Sequence, residues 1–351
     1  MAHKSTPASD SRRVPTIEDV ARLAGVSTAT VSRSLNATGR VREATRKAVE
    51  SAVRELGYTP NFGGQALALN RTNTVGAIIP TMENAIFARA IQALQETLAA
   101  QKVTLLVATS QYLPEREEEQ IRALLARGVD GVVLIGNRRA SSAYALLNAR
   151  GVPFVLLWSA PDSSPFVTIG FDNSAAAIDV TTRILKKGHR RIGMISGLTA
   201  HNDRADDRVR GVSKALTDNG LELAPQDLVE CRYSLAEGEA AAMQLLQRQP
   251  RPTAIICGND VLAAGALRAA RALGLVVPGD LSVVGFDDIE LATAVFPPLA
   301  TVRVPHRRMG VAAGEYLLRW IVDGKRPPSL TLPTEFIERA SLGNLCDEAA
   351  D

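Results

Sequence analysis

Side chains able to grip a small polar molecule fall at regular points along this 351-residue sequence. Each point follows an apolar run. Thr81 to Phe87 come after TVGAIIP, Gln111 after KVTLLVATS, Trp158 at the end of VPFVLLW, and Arg204 and Arg208 after RIGMISG. Asn259-Asp260 follow TAIICG, and Asp287-Asp288 follow LSVVGF. Asp and Asn exchange hydrogen bonds with neighbouring hydroxyls, Arg forms paired bonds, and Phe87 or Trp158 can cover the apolar face of a ring. Blander uses fit the same residues. Helix capping would employ Asp260 and Asp288, surface pairing with Asp206 or Asp207 would occupy Arg208, and Phe87 and Trp158 could be core. His189, in KKGHRR, reads as a structural residue at a helix C-terminus.

These residues do not compose a catalyst. There is no G-x-G-x-x-G, Walker loop, H-E-x-x-H or nucleophile elbow, and adjacent Asp287 and Asp288 point to different surroundings rather than to one substrate. Cys231, Cys257 and Cys346 form no CxxC or Cys/His cluster, which argues against a zinc site or disulfide framework and fits a reducing cytosol. No enzyme activity, cofactor or metal is expected. The longest apolar stretches, such as 152–158, have strand length and fall far short of a membrane span. No signal-peptide pattern opens the chain, so a cytoplasmic location is expected.

The elements that must position these side chains alternate in kind. TVGAIIP, KVTLLVATS, GVVLIGN and VPFVLLW are separated by helical patterns ending near Ala100, Arg127 and Arg150. A second series, RIGMISG, LVECRY, TAIICGN and LSVVGFD, alternates with helices starting near Arg208, Glu237 and Val261. Near-continuous apolar strands alternating with helices predict parallel sheets covered on both faces. Two such series predict two doubly wound lobes, with a ligand beyond the carboxyl ends of their strands.

The first seventy residues differ. They carry ten Lys/Arg against six Asp/Glu, a net +4, whereas the remainder carries 30 against 31, a net −1. Positive charge therefore gathers at the N-terminus, where phosphates would be met. Thr16 and Asp19 make an N-cap pair for a helix bearing Ile17, Val20, Ala21, Leu23 and Ala24. Gly25 stops it, and Ser27 caps a second helix from about Thr28 to Leu35. A third helix, about Glu43 to Leu56, offers Ala44, Ala48, Val49, Ala52, Val53 and Leu56 to the other two. Two short helices joined by a glycine turn predict a helix-turn-helix. Its outer face would meet DNA through Thr16, Ser27, Thr28, Ala29, Thr30, Ser32 and Arg33, with Asn36 and Arg40 beyond.

The run PTIEDVARLAGVSTATVSRSLNATGRVREATRKAVESAVRELGYTPN resembles the DNA-binding head of the lactose-repressor/galactose-repressor family. GFDN, KKGHRRIGMISG, DRVRGV, ICGND, PGDLSVVGFDD and FPPLATVRVP extend the resemblance through nearly the whole chain. The resemblance implies a helix-turn-helix head on a periplasmic-binding-protein-like body of two parallel-sheet lobes. It divides the chain into an arm (1–14), a head (15–60), a hinge (61–71), an effector-binding and dimerisation body (72–343) and a tail (344–351). It implies a hinge helix whose leucine wedge is Leu67, flanked by Asn61, Gln65 and Ala68; Gly63 and Gly64 would soften that helix by about 1 kcal/mol each. For the effector it implies Phe87, Gln111, Arg208, Asn259 and Asp287, beside Trp158 and Arg204 from the strand-end reading. The implied function is a homodimeric repressor on a near-palindromic operator, released by a sugar or sugar acid. Alternatives are an activator of the same architecture, or a ligand-binding protein without operator recognition. With no leucine-heptad helix after ERASL, a dimer is expected rather than a coiled-coil tetramer.

Overall fold

The computed structural model describes residues 14–35, 41–59, 71–83, 85–160 and 164–345. The chain divides into two units, residues 1–72 and 73–351. The expected arm up to residue 13, most of the hinge with Asn61, Gln65, Leu67 and Ala68, and Asn36, Arg40 and Cys346 lie outside the described residues.

The smaller unit contains helices α1 (Ile17–Ala24), α2 (Thr28–Leu35) and α3 (Glu43–Leu56). The Asp19 carboxylate accepts from the Thr16 backbone N–H and hydroxyl, at 2.9 and 3.0 Å, which fixes the start of α1. Gly25 closes α1 with φ +66°, a conformation a side chain would oppose. Val20, Ala21, Val31, Val49, Ala52 and Tyr58 form a small buried core. Ala44 and Ala48, expected in that core, are exposed. The inward stripe of α3 instead runs through Val49, Ala52, Val53 and Leu56, and the two alanines lie on its flank.

The larger unit begins with β1 (Thr74–Ile79), α4 (Ala85–Ala100), β2 (Thr104–Thr109), α5 (Pro114–Ala126), β3 (Gly131–Ile135), α6 (Ser141–Ala149), β4 (Phe154–Leu157) and β5 (Thr168–Gly170). Its second series comprises α7 (Asn173–Lys186), β6 (Ile192–Gly197), α8 (Asp203–Thr217), β7 (Leu228–Cys231), α9 (Leu235–Leu246), β8 (Ala254–Cys257), α10 (Asp260–Ala272) and β9 (Ser282–Val284). Then follow α11 (Leu291–Ala294), β10 (Thr301–Arg303), α12 (His306–Asp323), β11 (Leu330–Thr331) and β12 (Glu335–Ile337).

One sheet has the order β11-β5-β4-β3-β1-β2 and the other β7-β6-β8-β9, with every pairing parallel. Their central strands are buried throughout, as runs such as VGAII and GVVLI require when helices cover both faces. Short β10 pairs antiparallel with β12 and bridges to the end of the second sheet at Val284 and Asp287. The chain passes between lobes around residues 170–173, 303–306 and 331–335, because α12 packs on α4 and β11 joins the first sheet.

The strand-and-helix reading placed α8 too late. It starts at Asp203, where the Asn202 side chain accepts from Ala205 N, so Arg204 and Arg208 both lie on its opening turns. That reading saw only the C-terminal end of α7, at KKGHRR, and passed over α12 and the crossing strands β5, β10, β11 and β12, which are two or three residues long and carry no periodicity of their own.

Candidate functional site

Carboxyl ends of strands from both lobes converge on a cleft, and the side chains there are buried yet poorly partnered. Trp158, at the end of β4, has φ +62° and lies edge-on to Phe87, with ring centroids 5.3 Å apart. Its Nε1 has no hydrogen-bond partner. Asn173, the first residue of α7, donates from its amide to the Trp158 carbonyl at 3.0 Å and accepts from Arg208 Nη1 at 3.3 Å. Arg208 also donates from Nη2 to the Tyr233 hydroxyl at 3.2 Å and lies 4.7 Å over the Phe286 ring, while its Nε is unpartnered.

Asn259 caps α10 by accepting from Leu262 N at 2.9 Å, which leaves its Nδ2 without a partner. Asp287 is 2% exposed, has φ +107°, and its Oδ2 is unpartnered. Burial pushes this carboxyl well above the usual range, against the opposing pull of Arg208. His306, at the start of α12, faces it with Nε2 3.6 Å from Asp287 Oδ1, too long for a hydrogen bond. Neither ring nitrogen of His306 has a partner. Buried polar groups are normally satisfied, so six such residues around one cleft (Ser196 is the sixth) make it a site prepared for a polar ligand. Left-handed backbone at Trp158, Asp287, Gln111 and Tyr112 adds strain at the same place.

The cleft is bridged at one side by a fully bonded carboxylate. Asp203 of α8 accepts from Asn137 N at 2.7 Å and the Ser159 hydroxyl at 3.4 Å, both in the first lobe, and from Arg204 Nη1 at 2.9 Å. Gly136 makes this approach possible: a Cβ there would strike the Asp203 and Arg204 side chains. Arg138 pairs with Asp206 across the same seam and donates to the Thr199 carbonyl.

The structure therefore brings together Phe87, Trp158, Arg208, Asn259 and Asp287. Arg204 stands beside them, engaged with Asp203. Gln111 is exposed and takes a hydrogen bond from Arg116; the neighbouring Tyr112 turns inward instead, 6.3 Å from Tyr233 of the other lobe. Burial, followed by the influence of Tyr233, raises the Tyr112 phenol, so it stays a neutral hydroxyl. Asp260 and Asp288 are neither caps nor cleft groups. Asp260 accepts from Thr301 Oγ1 at 2.6 Å and Ile289 N at 2.8 Å. Asp288 pairs with Arg303 and Arg339, whose hydrogen bonds outweigh burial and hold its carboxyl below the usual range. His189 bonds Thr253 Oγ1 and the Gly343 carbonyl, as a structural residue would. Sequence reading missed Tyr112, Asn173, Ser196, Tyr233 and His306. Asn173 alone carried a signal, as the end of GFDN.

In the smaller unit, Ser27 Oγ accepts from Thr30 N at 3.2 Å and so opens α2. Ser27, Thr28, Ala29 and Arg33 are exposed, Thr16, Thr30 and Ser32 half-buried. Short hydroxyls and one long cation on the second helix of a helix-turn-helix form a face suited to a DNA groove. Among the described residues no His/Cys/Asp/Glu group could hold a metal ion, and no helix is long and apolar enough to cross a membrane.

Comparison with known proteins agrees with both units. Residues 16–61 match the sequence model for bacterial regulatory proteins of the lacI family, and residues 181–342 match the periplasmic binding protein-like domain. The HTH-type transcriptional repressor PurR of Vibrio atlanticus is 33% identical over 335 residues, covering 94% of this chain and 99% of its own. Catabolite control protein A of Priestia megaterium is 33% identical over 306 residues, covering 87% and 92%. Among solved structures, a LacI-family regulator from Silicibacter pomeroyi aligns with a TM-score of 0.86 at 31% identity, covering 94% of this chain and 99% of that one. The lac repressor dimer bound to operator and the anti-inducer ONPF aligns with a TM-score of 0.83 at 29% identity, covering 94% and 100%. A reading head, a ligand-ready cleft and full-length similarity meet in one chain: it belongs to the LacI family of DNA-binding transcriptional repressors with an effector-binding domain, and is not an enzyme.

Proposed function

We propose that this repressor binds a near-palindromic operator as a homodimer and is released from it by a polyhydroxylated effector, a sugar or sugar acid. The observation that carries the reading is the set of unpartnered buried atoms in the cleft, Trp158 Nε1, Arg208 Nε, Asn259 Nδ2 and Asp287 Oδ2. Three donors and one acceptor beside aromatic faces suit a compact ring bearing several hydroxyls, with Arg208 available to a carboxylate. The head contributes α2 to a major-groove half-site, with Ser27, Thr28, Ala29, Thr30, Ser32 and Arg33 toward base edges and phosphates. Thr16, Asn36 and Arg40 would add contacts to the same half-site, and Asn61, Gln65, Leu67 and Ala68 would serve the central minor groove. An effector that binds the closed cleft more tightly than the open one shifts the population between them, and operator affinity follows that shift.

The aromatic walls, Phe87 with Trp158 and Tyr112 with Tyr233, favour a second reading in which the effector is a flat heterocycle. One titration separates the two. Calorimetry with D-ribose, D-galactose, D-gluconate, D-glucuronate and hypoxanthine is expected to show binding of a polyol and none of hypoxanthine. In parallel, selection from random duplexes is expected to enrich a dyad-symmetric site. Arg33→Ala should weaken that complex and lower its salt slope by about 1 if Arg33 meets a phosphate. No salt-sensitive preference for any dyad-symmetric duplex overturns the DNA side of the proposal; Asp287→Ala binding the effector as well as wild type overturns the cleft.

A further inference from the structure

His306 is a cleft residue neither of whose ring nitrogens makes a well-formed hydrogen bond, its nearest polar neighbour being Asp287, through main chain and carboxylate. The ring is 2% exposed. It begins α12, which packs on α4 in the first lobe, whereas the opposing Asp287 follows β9 in the second. The 3.6 Å between Nε2 and Asp287 Oδ1 is too long for a bond between them. On the other side the ring lies 5.7 Å from Trp158, centroid to centroid, so an aromatic contact orients it. A phenylalanine would make that contact equally well. The nitrogens are therefore not there to hold the fold.

We propose that His306 is a specificity-determining contact of the effector cleft, acting with Asp287 across the two lobes to read a pair of neighbouring hydroxyls. One hydroxyl donates to the Asp287 carboxyl, and the next accepts from the imidazole N–H. Burial, then the nearby charge of Arg89, holds the imidazole down to about 3, against the pull of the Asp287 main chain. The ring is thus neutral under physiological conditions, with one N–H to donate and one lone pair to accept. Because its two halves belong to different lobes, the pair is completed only at one lobe separation. A ligand with both hydroxyls binds that separation selectively; one lacking either hydroxyl leaves a buried polar atom unpaired, which discriminates strongly.

This inference rests on the cleft being the effector site, and its test is arranged so the two can fail separately. The full-length protein and its His306→Phe, His306→Gln and Arg307→Ala variants are melted alone, then with D-ribose, D-galactose, D-gluconate and D-glucuronate, each beside a monodeoxy analogue. Without ligand, His306→Phe is expected to melt at or above wild type, since only unbonded nitrogens are lost. A probe that stabilises wild type should bind His306→Phe at least tenfold more weakly, with partial rescue in His306→Gln and no change in Arg307→Ala. Its analogue lacking one of the two hydroxyls should bind weakly to wild type. Equal probe affinity in His306→Phe overturns the role of His306 while leaving the cleft standing. An unliganded His306→Phe that melts several degrees below wild type overturns it too, by showing the nitrogens to be structural. If no probe binds wild type, the sugar reading of the cleft falls, and the unliganded melt still judges His306.

Discussion

Asp203 and Asp287 are both buried carboxylates at the cleft, and they have been treated in opposite ways. Asp203 accepts from Asn137 N, Ser159 Oγ and Arg204, so its charge is shared among donors from both lobes. Asp287 has an unpartnered oxygen, a histidine just out of reach and a carboxyl pushed up by burial. The first is structure: a bonded group that stabilises the fold. The second is the group proposed above to take its partner from the effector. Protein interiors tolerate few of the second kind because each costs free energy that other contacts must offset. Asp260 stands between them, with both oxygens bonded yet deeply buried and raised to about 7.

The largest effect should come from breaking the bonded member. Asp203→Ala leaves Arg204 charged and buried and Asn137 N without its acceptor. Losing one partner of a buried pair costs about 3–5 kcal/mol. Chemical denaturation should show that loss, and amide exchange should quicken at Asn137 even in variants that remain folded. A change under about 1 kcal/mol would remove Asp203 from the structural class.

Asp260→Asn should cost less, about 1–2 kcal/mol, because the amide oxygen still accepts one of the two bonds. Its pH signature is sharper than its magnitude. A carboxyl raised to about 7 in the folded protein binds a proton that the unfolded chain, near its ordinary 3.8, has already lost. Its contribution is fully favourable below the unfolded value and declines as pH rises from there through 7. Unfolding measured in steps from pH 4 to 8 should show this decline in wild type less the variant. A difference that does not vary with pH would mean that Asp260 titrates normally.

The bonded and unbonded classes were not equally visible in the sequence. The parallel sheets were legible because apolar runs such as VGAII have one comfortable environment, and the head because Thr16, Asp19, Gly25 and Ser27 each perform a local task. Strand ends located Trp158, Asn259 and Asp287, and the position of Arg208 after RIGMISG located it too. Tyr112, Tyr233 and His306 were hidden because their role depends on which neighbour turns inward. Gln111 and Tyr112 are adjacent polar residues with similar left-handed backbone, and only the fold decides that the tyrosine enters the cleft. Asp203 was hidden for a related reason: its first-lobe partners, Asn137 and Ser159, are 66 and 44 residues away.

The smallest expected effect is the most informative about the comparison, because its sign is reversed. Asp287→Asn removes the ionisable group from a place that burial makes hostile to charge, while keeping the side-chain shape. The raised folded value means that this group's contribution to wild-type stability is greatest at low pH and falls as pH climbs from the ordinary carboxyl range toward the shifted one. The amide escapes that fall. Near pH 8 the unliganded variant should melt about 2–4 °C higher than wild type, equivalent to about 1 kcal/mol, and effector binding should be lost at the same time. Stability gained where binding is lost is the expected mark of a group kept for its ligand. A variant that melts lower at pH 8 would instead place Asp287 with Asp203, as a carboxylate the fold itself requires.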